Sequence, residues 1–427
     1  SPVRPSWSTA GFPCRGDGMT DRKYKWWALV LLAAAFFLQQ GTRQIYGATL
    51  PSIQSCFGVS RAEIGIVGTV FTFAYGICVP FAGIASDLLC RKWMVVVGVG
   101  IFSIGLAGSG FATSVGGLLI AYGLLNGFGQ TFYYPSSTSL LGQLHRDSRA
   151  TAFSILQLGN YAGVVICSVS AGWLSGLDGE GWRWAFWLFG GIGVGWAVVL
   201  AFALRNTKPV AQTVEKASVL EAFKAICRKP SAICLIVGLG MMIYVDMGFK
   251  IWMPSFLRET FGTSPTQGAL SAVLWHYLGA IPGIALGSRI SDRLVARRPG
   301  VRMEVNIAGL ALAVPFIVLM AQTHSFIACC LSMGAFGFFR GIYDSNLIAS
   351  LFDVVRERYH ASAAGIMLSL AFLFGAFSPV VLGWLGDTLS MRLALSSLGA
   401  FYFIGAAAIL LARLCFLNGD LEDRRSL

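Results

Sequence analysis

The chain has 427 residues, 56% of them hydrophobic and 12% charged, with a mean hydropathy of +0.68. Soluble domains carry about 25% charged residues, so this composition excludes a soluble enzyme or binding module and places the chain in a lipid bilayer. The net charge of +12 does not form a nucleic-acid surface, because the basic residues gather at the ends of apolar stretches, where they read as a topology signal with contact to anionic lipids.

From the N-terminus, residues 1–18 are polar, rich in Gly and Pro, and precede Met19. They are expected to be a disordered or artificial extension outside the fold. Twelve apolar stretches follow, at 24–50, 63–85, 93–112, 115–141, 150–175, 183–204, 232–258, 267–290, 303–322, 324–352, 361–384 and 391–416. Each is long enough to cross ~30 Å of hydrocarbon as a helix. Continuous apolar runs exclude a barrel, whose strands alternate. They are numbered span 1 to span 12. The first is too long for a cleavable signal and is expected to stay as span 1.

Between spans 6 and 7 lies the longest internal hydrophilic stretch, 205–230. Within it, 219–226 is predicted to form a short amphipathic helix on the membrane surface. The predicted fold is an all-α membrane protein, twelve transmembrane helices in two pseudo-symmetric six-helix bundles. The bundles cover 19–204 and 232–427, joined by a cytoplasmic linker at 205–231.

Of the 32 Lys and Arg, 17 lie in loops after even-numbered spans and four, Arg61, Arg183, Arg258 and Arg392, in loops after odd-numbered ones. The positive-inside rule then makes the even loops and both termini cytoplasmic. Compact loops without insertions suggest a bacterial inner membrane. The ten Cys are scattered without metal-ligand spacing and are expected to be packing residues. No phosphate-cradling loop follows a strand, and no Ser/His/Asp or Cys/His set has a credible context. Neither an enzyme nor a metal or other cofactor is expected.

Five charges fall inside spans and away from their ends: Arg43, Asp246, Lys250, Arg340 and Asp344, with a net charge of +1. A charge at bilayer depth costs several kcal/mol unless it is paired or faces water, so this set suggests a central cavity prepared for an anion. Asp246 and Lys250 are four residues apart, as are Arg340 and Asp344, so each pair can close on one helix face.

The halves repeat each other. Arg149, Ala150, Thr151 and Ala152 match His360, Ala361, Ser362 and Ala363 at an offset of 211, and Gly172, Trp173 and Leu174 match Gly383, Trp384 and Leu385 at the same offset. Arg43 lies eight residues before Pro51 and Asp246 eight before Pro254, about 12 Å inside the proline in each case. Repeated halves with polar groups near the midplane point to a secondary transporter.

Gly83, Asp87, Arg91 and Lys92 form the pattern GxxxDxxxRK between spans 2 and 3, and a degraded copy follows span 8 with Asp292, Arg297 and Arg298. With twelve spans and an internal repeat, this pattern resembles the signature loop of the major facilitator superfamily. The resemblance implies gating roles for Gly83, Asp87, Arg91, Lys92 and Asp292, with Arg91 and Lys92 anchoring the loop to the inner surface; the alternative is that the loop merely fixes topology.

Within that superfamily, spans 4 and 5 are similar to the anion:cation symporters for sugar acids and related organic anions. The stretch runs from Asn126, Gly127, Phe128 and Gly129 through Tyr134 and Pro135 to Arg149 and Ala150, and then to Gly181, Trp182, Arg183 and Trp184. Such symporters often carry an acid just before the span 1 Arg and a Glu before the span 4 proline; here these positions hold Thr42 and Gln130. Either Asp246 and Asp344 take over proton coupling, or coupling is to another ion or to exchange.

Arg43 is the expected anion ligand, since guanidinium stays charged and binds carboxylate through two parallel bonds; the competing role is a permanent salt bridge to Asp246. Gln40 and Tyr46 flank it on span 1. Tyr133, Gln157, Asn160, His276, Arg340 and Asn346 are expected to line the substrate site, with Tyr134 and Tyr161 beside them. For each, helix packing is the plainer role. Asp246, Lys250 and Asp344 are expected to be proton-coupling groups or structural ion pairs. The function expected is proton-coupled symport of an organic anion, such as a sugar acid or other carboxylate, by a monomer. The rivals are an organophosphate or monocarboxylate exchanger and proton-driven efflux of amphiphiles.

Overall fold

Backbone N–H and C=O groups find no partner in hydrocarbon, so each apolar stretch satisfies its own as a helix. The computed structural model describes residues 21–145, 148–177, 180–205, 219–295, 300–356 and 359–420, and every regular element among them is helical. Span 1 is Asp21–Phe57, span 2 Arg61–Leu88, span 3 Arg91–Ser109, span 5 Arg149–Ser175 and span 6 Gly181–Ala203. Span 7 is Pro230–Phe261, span 8 Pro265–Leu294 and span 9 Val301–Gln322.

The remaining four are irregular. Span 4 joins Val115–Leu118, a π-helical stretch Leu119–Asn126 and Gly127–Leu144. Span 10 breaks between Phe326–Asp344 and Leu347–Val354, and span 11 between His360–Gly375 and Ser378–Thr388. Span 12 is Met391–Leu411, continued by the π-helical Ala412–Phe416. Among the described residues, ten helices are long and apolar enough to cross a membrane. The other two are span 1, diluted by Gln39, Gln40, Thr42, Arg43 and Gln44, and span 4, divided by its π stretch. The amphipathic segment forms as Val219–Cys227, with Ile226 buried.

Span ends follow local chemistry. Spans 2, 4, 8, 10 and 12 begin after Ser60, Ser114, Ser264, Ser325 and Ser390, whose hydroxyls each accept the N–H three residues on. Arg183 Nη1 donates to the carbonyls of Gly110 (2.8 Å) and Ala112 (2.6 Å), just past the end of span 3. Arg392 Nη1 does the same for span 9, donating to Gln322 (2.9 Å) and Thr323 (3.1 Å). Two of the four odd-loop arginines are therefore matching helix-end caps, one in each half.

Spans 3, 4 and 6 pack among the first six helices and spans 9, 10 and 12 among the last six; spans 2, 5, 1 and 11, 8, 7 carry the contacts between the two sets. The repeated tripeptides lie at these crossings. A Cβ on Gly172 of span 5 would stand 2.7 Å from the Pro265 carbonyl at the start of span 8. Gly383 of span 11 meets the Arg61 carbonyl at the start of span 2 in the same way. Each glycine thus permits a backbone approach between opposite halves that no other residue allows.

At the same end, Arg61 bonds Glu259 (2.8 Å) and the Gly386 carbonyl (3.1 Å). Asp387 accepts the backbone N–H groups of Arg61 (3.2 Å) and Ala62 (2.9 Å). The molecule is therefore closed at the end that carries the odd-numbered loops. Spans 2 and 11 stay together as far as Gly76 and Ser369, whose hydroxyl donates to the Gly76 carbonyl at 2.7 Å. Further along these two spans, nothing lies within 4 Å of a Cβ placed on Gly83 or Gly365.

Candidate functional site

Spans 1 and 7 cross where Gly47 meets Lys250; a Cβ on Gly47 would lie 2.5 Å from the Lys250 carbonyl oxygen. One turn from that crossing, span 1 carries Arg43 and span 7 carries Asp246, so the two charges do share a depth. They do not share a bond. Arg43 Nε donates to Gln130 Oε1 at 2.5 Å, and its guanidinium lies 4.5 Å from the Tyr75 ring centre and 5.8 Å from that of Phe71. Arg43 Nη2 is buried without a hydrogen-bond partner.

The Gln130 amide is held in place. Its Nε2 donates to Thr42 Oγ1 (3.1 Å) and Asn126 Oδ1 (2.9 Å), and its backbone carbonyl accepts Gln39 Nε2 (2.7 Å). With both amide hydrogens committed, the oxygen is the atom that faces Arg43. Arg43 therefore keeps a full positive charge beside a neutral partner, with an aromatic face over it.

The second half holds the other four charges as one network. Asp246, its side chain 8% exposed, accepts Lys250 Nζ at 2.7 Å on one oxygen and Arg340 Nη1 on the other. Arg340 Nη1 also lies 2.9 Å from His276 Nε2, which makes that nitrogen an acceptor and His276 a neutral ring. Asp344 touches Arg340 Nε at 3.4 Å, without hydrogen-bond geometry, and is 32% exposed. Two acids and two bases balance, so the permanent Arg43–Asp246 bridge expected as a competing role is absent from this conformation.

Other expected ligands divide between partly exposed and packed positions. Gln40 and Asn160 are half-buried and Gln157 exposed. One turn from Gln157, Tyr161 meets Tyr277 across the halves, rings 5.7 Å apart. Three are buried against protein partners in this conformation. Tyr46 is buried, donates to the Ile64 carbonyl at 2.5 Å and stacks on Tyr122. Tyr133 is fully buried and donates to the Leu32 carbonyl; its neighbour Tyr134, packed on Phe36, is 45% exposed instead. Asn346 is buried at the break in span 10, where its amide donates to Ser345 Oγ (2.7 Å) and the Gly287 carbonyl (3.3 Å).

Sequence reasoning missed Tyr75 and Phe71 because span 2 carries no charge to mark a cavity face. It noted Gln130 only as a departure, although a polar side chain five residues before Pro135 was the available signal.

A model of the Major Facilitator Superfamily matches residues 32–367. The chain belongs to the major facilitator superfamily. It is accordingly an integral, multi-pass membrane transporter and not an enzyme. Among relatives, protein spinster homolog 1 of Homo sapiens is 26% identical over 87% of this chain and 74% of its own length. The probable sulfoacetate transporter of Cupriavidus necator is 24% identical over 90% and 92%. The cis,cis-muconate transport protein of Acinetobacter baylyi is 24% identical over 88% and 92%. Among solved structures, a bacterial homolog of the human lysosomal transporter Spinster, inward-facing and unoccupied, superposes with a TM-score of 0.83 at 21% identity. That match covers 92% of this chain and 98% of the other.

The superfamily's signature loop differs from expectation in one respect. Arg91 and Lys92 are buried in the first turn of span 3, not spread on the membrane surface. Gly83 has open space around it, and Asp292 is exposed. The Asp87 side chain and both Arg297 and Arg298 lie outside the described residues.

Proposed function

We propose that this transporter carries a small organic anion together with a proton by alternating access. The observation that carries the reading is Arg43, a cation in the cavity whose partner is neutral and whose Nη2 has no acceptor. A carboxylate or sulfonate supplies the missing charge and takes the open guanidinium edge, with Tyr75 holding the other face. Gln40, Gln157 and Tyr134 supply hydrogen bonds to the rest of the ligand. The printed names of two relatives, carriers of sulfoacetate and of muconate, agree with an organic anion as cargo.

For the proton, Asp344 suits the task better than Asp246. Asp246 is clasped by two bases, so protonating it would leave both uncompensated. Asp344 is more exposed and makes the looser contact. Its protonation removes one negative charge beside Arg340, whose remaining acid partner is Asp246 of span 7, and so alters the tie between spans 10 and 7. The cycle then requires the Arg61 contacts to part and the even-loop end to close. The Lys and Arg distribution supports both termini in the cytoplasm and the compact loops support a bacterial inner membrane, so inward movement is import, and a single chain contains the whole path.

The test is uptake of radiolabelled organic anions into proteoliposomes, with and without an inward proton gradient. Stimulation by the gradient, lost in Asp344→Asn, is the expected result. Uptake that requires a second anion loaded inside would replace symport with exchange. Equal uptake by wild type and Arg43→Ala would overturn the anion assignment.

A further inference from the structure

Tyr75 joins the Arg43 site to the opposite half. Its ring centre lies 4.5 Å from the Arg43 guanidinium. The same ring meets Phe372 of span 11, centres 4.8 Å apart and planes at 65°, the edge-to-face arrangement that aromatic pairs favour. The two spans come close here because a glycine follows Tyr75. A Cβ on Gly76 would stand 3.2 Å from Phe372 Cβ and from the Leu373 amide nitrogen. One turn along span 11, the Ser369 hydroxyl donates to the Gly76 carbonyl at 2.7 Å. Tyr75 and Phe372 are both half-buried.

Phe372 is not placed to hold a ligand itself. Among the described residues, the rings that Arg43 faces are Phe71 and Tyr75, and a phenyl ring offers an anion no hydrogen bond. Its position is nevertheless a repeated one. Tyr161 precedes Phe372 by 211 residues, the offset that also relates Gly172 to Gly383, and Tyr161 meets Tyr277 across spans 5 and 8. The repeat thus sets an aromatic pair at each of two crossings between the halves. At the crossing of spans 2 and 11, one member of the pair is the residue that stacks on Arg43.

We propose that Phe372 is a positioning residue for anion binding: it sets the Tyr75 ring and, through that ring, the Arg43 guanidinium. This rests on the reading that Arg43 holds an organic anion. A guanidinium stacked on an aromatic face has fewer orientations to lose when a carboxylate or sulfonate takes its open edge. The Tyr75 ring turns about two torsions of its own, and Phe372 restricts them from the other half. The anion site is therefore complete only while spans 2 and 11 pack at this level. A ligand that binds two conformations unequally shifts their populations. Binding then favours the conformations that keep this contact, and loosening of the two spans releases the anion.

The test measures equilibrium binding by the purified full-length transporter in detergent, beside thermal unfolding, with radiolabelled sulfoacetate, cis,cis-muconate and glucuronate as probes. For the probe that binds best, Tyr75→Leu is expected to weaken affinity about tenfold and Phe372→Leu about three- to tenfold, the worth of a cation–π contact and of an aromatic pair. Phe372→Met gives the same information if the leucine variant does not fold. Phe372→Tyr, which copies the ring of Tyr161, is expected to stay within about twofold of wild type. With Tyr75→Leu already present, Phe372→Leu is expected to change affinity by less than about twofold, since a residue that acts through Tyr75 then has nothing to act on. A Phe372→Leu variant that loses thermal stability at wild-type affinity, or that weakens binding equally in both backgrounds, makes Phe372 a packing residue and overturns the proposal. Either result, with binding still lost in Arg43→Gln, leaves the anion reading intact. Binding of none of the probes by wild type, or binding indifferent to Arg43→Gln, overturns both.

Discussion

Span 1 sets its cation, Arg43, against the neutral Gln130 amide, whereas spans 7 and 10 set Lys250 and Arg340 against carboxylates. Both regions lie near the crossing of spans 1 and 7, and both place charge inside the bilayer. The difference lies in what is left over. The second half is internally neutral, and a buried balanced network resists rearrangement because removing any member strands its partners. The first half retains an unpaired cation that only a ligand can neutralise. On the proposed reading of Arg43, binding and structural cohesion fall to different halves of a repeated fold.

The largest contrast is expected from removing each arginine. Arg43→Gln should lower kcat/KM for anion uptake by about 10–100-fold, the worth of one charged hydrogen-bonding group, while costing only about 1 kcal/mol in stability. Arg340→Gln should do the reverse, destabilising by up to about 3–5 kcal/mol because Asp246 is left short of a base. Thermal unfolding in detergent beside initial uptake rates separates the two; similar stability losses would remove the distinction.

Making the first half resemble the second is expected to have the next largest effect. Gln130→Glu would pair Arg43 with a carboxylate that is ionised near pH 7, and uptake should fall about tenfold. The sign is fixed: the loss persists wherever the glutamate is ionised and eases only as pH drops toward or below its ordinary range near ~4. A pH-independent defect would point to disrupted packing around Thr42 and Asn126 instead.

Smaller effects are expected at the contacts between halves. Gly47→Val places a side chain against the Lys250 carbonyl, and the overpacking cost of about 1–3 kcal/mol should disfavour the closed odd-loop end and slow uptake about tenfold. Cysteine accessibility at that end should rise in parallel; unchanged accessibility would show that the helices yield without opening. Arg61→Gln should change rates by no more than about threefold, since exposed ion pairs are worth only 0–1 kcal/mol or so. A larger loss would make Arg61 a principal gate.

The spans, the repeat and the five embedded charges were legible because lipid enforces long apolar helices and makes each exception conspicuous. Which way a side chain points was less so. Tyr133 and Tyr134 are adjacent and both read as candidates, but helical rotation buries one and exposes the other, which sequence pattern alone does not show. Asn346 looked like part of a polar stripe with Arg340 and Asp344, yet the break after Asp344 turns it inward to bond the Gly287 carbonyl. The depth match of Arg43 and Asp246 was readable from their prolines; their separate partners required the third dimension.

Asp387 caps the first turn of span 2 from the other half of the molecule, using the N–H groups of Arg61 and Ala62. Helix starts always leave several such donors free, and water serves them nearly as well as a carboxylate does. When the halves separate, solvent enters the vacated positions and the helix loses little. A seam fastened by groups that water can replace opens and reseals with small net change in free energy, so the direction of the cycle is left to the cargo.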